Sequence, residues 1–301
     1  MSVLNERAVP VIDEALPTPR KRRRRYVKGT RPGWIVYACL AAVLVGSVFP
    51  FYWSLLIGSG DSYTIRDPNM SWIPGGNFFA NAAKVMNDPA VNFWMALWNS
   101  IISSGLIAIS VVFFSTLAGW AFAKLKFKGS SWLLVFVIAT MAVPTQLGVV
   151  PLYILFSDMG WTGQLGAIIV PALVSAFGVF WMTQYLRQAV PDELIEAARV
   201  DGASSFRTFL TVGLPAARPA AAMLALFTFV SAWNNFFWPF IVLDRQNPTL
   251  PVALSLLQSN YFIDYSIVLA GVLLATIPLL ILFVFAGKQL VSGIMQGAVK
   301  G

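Results

Sequence analysis

The chain has 301 residues, 57% hydrophobic and only 11% charged, where an ordinary soluble domain carries about 25% charged residues. Mean hydropathy is +0.71 and net charge is +8; so few polar groups cannot cover a soluble globule, so the composition predicts an all-α integral membrane protein. The lack of histidine excludes His catalysis, His metal ligands and a His proton relay, and the single cysteine, Cys39, excludes an intrachain disulfide and any Cys-x-x-Cys site.

Residues 1–31 are polar, basic and proline-containing, which predicts a disordered tail ahead of one membrane domain, 32–301. The basic run at 21–25 is read as an anchor for the first span, not as a nucleic-acid site. Six charge-free apolar runs follow, at about 34–57, 97–122, 132–156, 165–186, 220–243 and 265–286. Each is long enough to cross a hydrocarbon core of about 30 Å. The first is too long for a signal-peptide core and no small-residue cleavage site follows it, so it reads as an uncleaved signal anchor. The second opens on Asn99, with Ser103 and Ser104 completing a polar patch. In the third, Pro144 predicts a kink whose freed backbone groups Thr145 or Gln146 can satisfy.

The fifth run carries Thr228, Ser231 and Asn235 at i, i+3 and i+7, one helical face that Trp238 continues and Asn234 flanks. Amides beside aromatic faces suit sugar rings, which present C–H patches and hydroxyls. The same residue types also collect at membrane interfaces and join helices. For Asn99, Thr228, Ser231, Asn234, Asn235 and Trp238, a translocation path and plain helix packing therefore both stand.

Eighteen of the 21 Lys and Arg fall before span one, between spans two and three, between four and five, or after six; only Arg66, Lys84 and Arg245 fall on the other side. By the positive-inside rule both termini are cytoplasmic, and an odd number of spans would spoil this division. All 13 acids lie in loops or termini. An ion-driven carrier or proton pump would usually need one at mid-membrane, so energy must come from elsewhere, or the chain is a passive pore or scaffold.

The inner loop 187–219 holds the densest information. Pro191, Asp192 and Glu193 open a helix with acids at its positive end. Leu194, Ala197 and Ala198 make a small apolar face. Gly202 ends that helix, Ser204 or Ser205 caps a second one, and Pro215 is expected to stop it and return the chain to span five. Two readings fit such a helix–turn–helix under the membrane: insertion into a cleft on a cytoplasmic partner, or rest on the lipid interface.

Here the sequence resembles a known family. Glu196-Ala197-Ala198, then Gly202, Val212 and Leu214-Pro215 match the spacing of the "EAA" loop of binding-protein-dependent ABC importer permeases, with Val212 where the family usually has Ile. The likeness runs from about Phe49 to Gly301. Asn99-Ser100, Leu125-Lys126-Phe127-Lys128-Gly129, Pro144 with Pro151-Leu152-Tyr153, Trp233-Asn234-Asn235-Phe236, Thr249-Leu250-Pro251-Val252-Ala253-Leu254 and the end at 297–301 are similar to the maltose-type, shorter permease of the carbohydrate branch. The resemblance implies a six-helix type I permease in a prokaryotic cell membrane, with Glu196, Ala197, Ala198, Asp201, Gly202, Leu214 and Pro215 at the contact with an ATPase dimer. It further implies a heterodimer with a second permease, an extracellular solute-binding protein meeting the loop 244–264, and a sugar as substrate. A di- or oligosaccharide is the preferred substrate; glycerol phosphate or a monosaccharide is the alternative.

The chain carries no Gly-x-x-x-x-Gly-Lys-[Ser/Thr] loop, so ATP and Mg²⁺ belong on the ATPase and no cofactor, metal site or catalytic residue is expected here. The competing classes are an ion-coupled carrier, opposed by the charge-free spans, and a membrane enzyme, for which Asp192, Glu193, Glu196 and Asp201 cluster but no metal-binding partner joins them.

Overall fold

A computed structural model describes residues 33–259 and 262–298. The basic tail expected at 1–31 and the residues 299–301 lie outside the described part. Among the described residues the structure is all helix and turn. Five helices are long and apolar enough to cross a membrane, and one bent pair counts as a sixth crossing.

The chain divides into two units after Val48. The first holds the opening of α1 (Trp34–Gly58), a run without a charged residue from Trp34 onward. Everything else belongs to the second. There, the α1 end is satisfied from α2 (Phe78–Asn87): Asn81 Nδ2 donates to the carbonyls of Gly58 (3.1 Å) and Gly60 (2.9 Å), covering acceptors that a helix terminus leaves open.

α3 (Phe93–Lys124) is the axis of the second unit. It packs along α7 (Ala176–Ala189) and α10 (Leu214–Trp233). Between α3 and α7 the approach is close because Gly119 has no side chain: a Cβ there would sit 2.7 Å from Met182 Cβ and 2.9 Å from Thr183 N. Around this crossing Val111, Met182, Leu186, Ala217 and Leu224 are buried in one apolar cluster. A second cluster joins α2, the start of α3, α12 (Leu250–Leu256) and α13 (Tyr265–Ala298) through Val85, Phe93, Leu250, Ala253 and Val268. The third is smaller and joins α5 (Val149–Asp158), α6 (Gly166–Ile169) and α11 (Phe237–Val242) through Phe156, Ile168 and Val242.

Three of the six predicted crossings differ from straight helices. The third divides into α4 (Ser130–Thr140) and α5 (Val149–Asp158), bent by 85° across a break ending at Pro144, as the proline predicts. The fourth begins as a single turn, α6 (Gly166–Ile169), passes Pro171, goes extended at Ser175 and only then enters α7. The fifth is displaced. Pro215 does not stop a helix; a span runs continuously from Ser205 to Trp233. The chain absorbs the proline by widening the preceding turn into a π-helical one, Phe209–Gly213, in which Leu214 N donates to the Phe209 carbonyl. A proline cannot supply an intrahelical N–H, and one extra residue in the turn resolves the mismatch. The helix then ends at Trp233, ten residues before the predicted end at 243, and α11 (Phe237–Val242) follows after a break at 234–236.

Candidate functional site

Two places bring together residues that the sequence singles out. The first is the segment between α7 and α10. α8 (Asp192–Val200) starts after extended Pro191, with Asp192 and Glu193 in its first turn. Asp201 closes it. Gly202 then takes φ +75°, the left-handed conformation that a side chain disfavours. The turn is closed by Gly202 N to Arg199 O (3.0 Å) and Ala203 N to Ala198 O (2.9 Å), and these bonds satisfy carbonyls at the end of α8. Ser204 Oγ accepts from Arg207 N (3.3 Å) and caps the short α9 (Ser205–Thr208). The expected helix–turn–helix is therefore present, with Glu196, Ala197, Asp201, Gly202, Leu214 and Pro215 exposed and Ala198 half-buried.

What holds α8 differs from the expected small face of Leu194, Ala197 and Ala198. Leu194 is half exposed; Ile195 is the buried residue and joins the α3–α7–α10 cluster. The second fastening is an ion pair, Lys124 Nζ to Asp192 Oδ1 at 2.8 Å, between the end of α3 and the start of α8. The Lys124 side chain is 4% exposed and that of Asp192 81%. Hydrogen bonding and charge from Lys124 hold the Asp192 carboxyl below its ordinary range. Ile195 and Lys124 were readable in the sequence only as an apolar residue one place from the expected face and as one of several inner-loop lysines. Across the segment, Val200 (88% exposed), Phe206 (65%), Leu210 and Leu214 leave apolar side chains exposed.

The second place is a cavity of about 1000 Å³ in the wall formed by α3, α4–α5, α7, α10 and α11. All three helix breaks open onto it: Met141, Val143, Thr145 and Gln146 at the first, Val174 and Ser175 at the second, Asn235 and Phe237 at the third. Irregular backbone at membrane depth is tolerated where it lines a polar cavity. Thr228, Ser231, Asn235 and Trp238 all line it. They do so across a break, not along one helical face, because α10 ends at Trp233. Trp238 is fixed by its indole, which donates to the Ala167 carbonyl (2.9 Å).

Two predicted path residues sit elsewhere. Asn234 lies in a smaller groove of about 440 Å³ with Phe227, Val230 and Phe283, and its amide donates to the Val230 carbonyl (2.9 Å). Asn99 is buried and donates to the Pro248 carbonyl (3.0 Å), while neighbouring Ser100 Oγ accepts from Leu250 N (2.8 Å). Together they pin the start of α12 to α3. Gln146, expected at the Pro144 kink, lines the cavity; Ser175 and Thr249 line it as well, the first at a break that hydropathy does not register and the second in the loop after the fifth crossing. Thr249 Oγ1 has no hydrogen-bond partner there.

The profile of the family described as "Binding-protein-dependent transport system inner membrane component" matches residues 112–294. The chain belongs to this family, a class of multi-pass membrane permeases. It is 34% identical over 210 residues to the arabinooligosaccharides transport system permease protein AraQ of Halalkalibacterium halodurans, covering 69% of this chain and 75% of that one. To the trehalose/maltose transport system permease protein MalG of Thermococcus litoralis it is 31% identical over 271 residues, covering 89% and 96%. A crystal structure of a bacterial ABC transporter that imports the acidic polysaccharide alginate contains a chain of the same fold, at TM-score 0.71 and 22% identity, covering 85% of this chain and 95% of that one.

Proposed function

We propose that this chain is the membrane-spanning permease subunit of an ATP-driven, binding-protein-dependent importer of a di- or oligosaccharide. It is not itself an enzyme: ATP and Mg²⁺ are held by a separate ATPase dimer. The observation that carries this reading is the α8–Gly202–α9 turn. It is exposed, rigidly closed by its own backbone bonds, and tied into the packed helices by Ile195 and Lys124. A projecting turn so anchored can receive force from a closing partner and pass it to α3, α7 and α10. Glu196, Ala197, Ala198, Asp201 and Gly202 form the contact, and the exposed Val200, Phe206, Leu210 and Leu214 supply apolar area for it. Leu214 and Pro215 sit where the segment joins α10. The distribution of Lys and Arg supports a cytoplasmic position for this segment and both termini. A second permease completes the pathway, and an extracellular solute-binding protein meets the loops around 244–264. The sugar path on this side runs along Thr228, Ser231, Asn235 and Trp238.

The test is purification of the chain in mild detergent from cells that express its native neighbours, with mass spectrometry of what stays bound. A second multi-span permease and an ATPase in two copies are expected. Recovery of the chain alone, or only as a homo-oligomer, under every condition would overturn the reading.

A further inference from the structure

Force placed on the α8–α9 segment must enter the packed helices at definite contacts. Those of α8 are Ile195 and the Lys124–Asp192 ion pair. α9 shares neither, and is met instead by a run of rings. Phe206 of α9 is exposed and Phe209 of the π-helical turn is buried; they are three residues apart, on one helical face, with ring centroids 6.3 Å apart. Phe209 in turn meets Trp120 of α3, with centroids 5.9 Å apart. Trp120 stands one helical turn before Lys124, so the two side chains rise one above the other on α3. One reaches the start of α8, the other the turn that follows α9.

Trp120 also fits the backbone of that turn. A Cβ on Gly213 would lie 2.6 Å from its Cε3 and 2.7 Å from its Cζ3. The six-membered ring is thus seated in the space of one missing side chain, at the π-helical turn through which the segment joins α10. The other edge of the indole is poorly served. The side chain is 3% exposed, yet Nε1 has no hydrogen-bond partner. A buried tryptophan N–H usually finds an acceptor. Here the fit against Gly213 and Phe209 sets the position of the ring, and the N–H goes without.

We infer that Trp120 is a positioning residue for coupling. Wedged between Phe209 and Gly213, it keys α9 and the π-helical turn to α3, so that force on Phe206 moves α9 and α3 as one body. The inference rests on the importer reading above and adds a second route to it, through rings from α9, beside the route from α8 through Ile195 and Lys124.

The experiment uses the full complex with its copurifying ATPase and second permease, in lipid nanodiscs. Cys39→Ser removes the one native thiol of this chain, and the partner subunits are freed of reactive thiols. Spin labels on Ser205→Cys and Lys126→Cys, both exposed positions, report the distance from α9 to the end of α3; labels on Glu193→Cys and Lys126→Cys report that from α8. Double electron–electron resonance reads both before and after trapping with Mg·ATP and orthovanadate, with no sugar required. In the parent both distances are expected to hold through trapping. Gly213→Ala drives a Cβ into the ring. The α9 distance is then expected to shift by about 2 Å or more on trapping, the scale of helix shifts at interfaces, while the α8 distance holds. Adding Trp120→Phe, which deletes the two ring atoms that the Cβ meets, restores the parental behaviour. Phe209→Leu keeps an apolar side chain in the core but breaks the ring contact; it is expected to act as Gly213→Ala does, and serves where the alanine variant does not fold. A parent whose α9 distance moves on trapping overturns the inference and leaves the importer reading intact. So does a Gly213→Ala or Phe209→Leu complex that behaves as the parent, and so does a shift that Trp120→Phe fails to reverse. A chain that brings down no ATPase, so that vanadate traps nothing, overturns both.

Discussion

The α3–α7–α10 crossing and the cavity wall are built on opposite plans from nearly the same alphabet. At the crossing, helices are continuous, Met182 and Leu186 are fully buried, and backbones touch through Gly119. At the cavity, every element that contributes a break loses its regular hydrogen bonding there, and Met141, Val143 and Gln146 are exposed. Close-packed interiors resist deformation and transmit displacement. Broken helices shift at their breaks with little loss of packing. The α8–Gly202–α9 turn is fastened to the rigid half, through Ile195 and Lys124. On the importer reading proposed above, a push on the turn moves helices as bodies, and the change of shape is taken up at the cavity.

The largest expected effect attacks the rigid half. Gly119→Leu puts a side chain where even a Cβ would lie 2.7 Å from Met182 Cβ and close to backbone. Overpacking costs about 1–3 kcal/mol or more, and we expect little folded protein in detergent, with Gly119→Ala intermediate in Tm. A leucine variant that melts like the parent would show that the crossing is loose.

Next comes Gly202→Pro. Proline is held near φ −65° and lacks the N–H that Gly202 donates to Arg199, whereas this position needs φ +75°. The turn should unlock, with uptake falling by about tenfold or more and ATPase lost on purification, while the amount of chain in the membrane is unchanged. Uptake and ATPase retention equal to the parent's would remove the turn from the coupling path.

Ile195→Ala sharpens the comparison instead of breaking it. Removing a buried isoleucine costs about 2–5 kcal/mol, and the loss should fall on α8 alone. Hydrogen exchange of the amides across α8 should quicken, with the amides lining the cavity breaks unaffected. Uniform quickening would mean that the two halves are not mechanically distinct.

The smallest effect lies at the start of α13. Burial raises the Asp264 pKa, but hydrogen bonds from Ser266 and Ser62 outweigh it, and the carboxyl sits below its ordinary range. A depressed folded pKa means that the ionised form stabilises the fold at neutral pH, and this contribution is lost as pH falls below the ordinary aspartate range through the folded value. Asp264→Asn should cost about 1 kcal/mol at neutral pH, as loss of a helix cap does, with the difference from the parent shrinking in acid. A gap in Tm that is constant with pH would contradict the assignment.

Much of this arrangement is legible in the sequence. Charge-free runs locate the crossings, because a bilayer admits little else, and the ends of α1 and the membrane-crossing part of α13 agree with the predicted runs to within a residue. Gly202 and the capping Ser204 are readable because backbone conformation depends on them directly. The breaks are less visible. Pro144 announces one, but Ser175 and 234–236 interrupt helices without any drop in apolar character. Helical spacing placed Thr228, Ser231, Asn235 and Trp238 on one face; they meet at one cavity for a different reason, the turn of the chain after Trp233. Pro215 was read as a stop because the rule concerns α-helix interiors, and a wider turn evades it. For Asn99, of the two readings the sequence allows, packing is the one its contact fits, since the loop at Pro248 folds over the amide.

That wider turn turns a count of residues into an orientation. Each residue of an α-helix advances the chain by about 100° around its axis. The π-helical turn at 209–213 accommodates one residue more than an α-turn, with Trp120 stacked against Gly213 to hold it there. The number of residues between Gly202 and Pro215 therefore fixes the direction in which the α8–α9 turn faces around α10, more than it fixes their separation. Deleting one residue of the wide turn would let it close as an ordinary α-turn with the flanking helix phases kept, whereas a deletion between Gly202 and that turn would set the helix phase against the Ile195 and Lys124–Asp192 fastenings of α8.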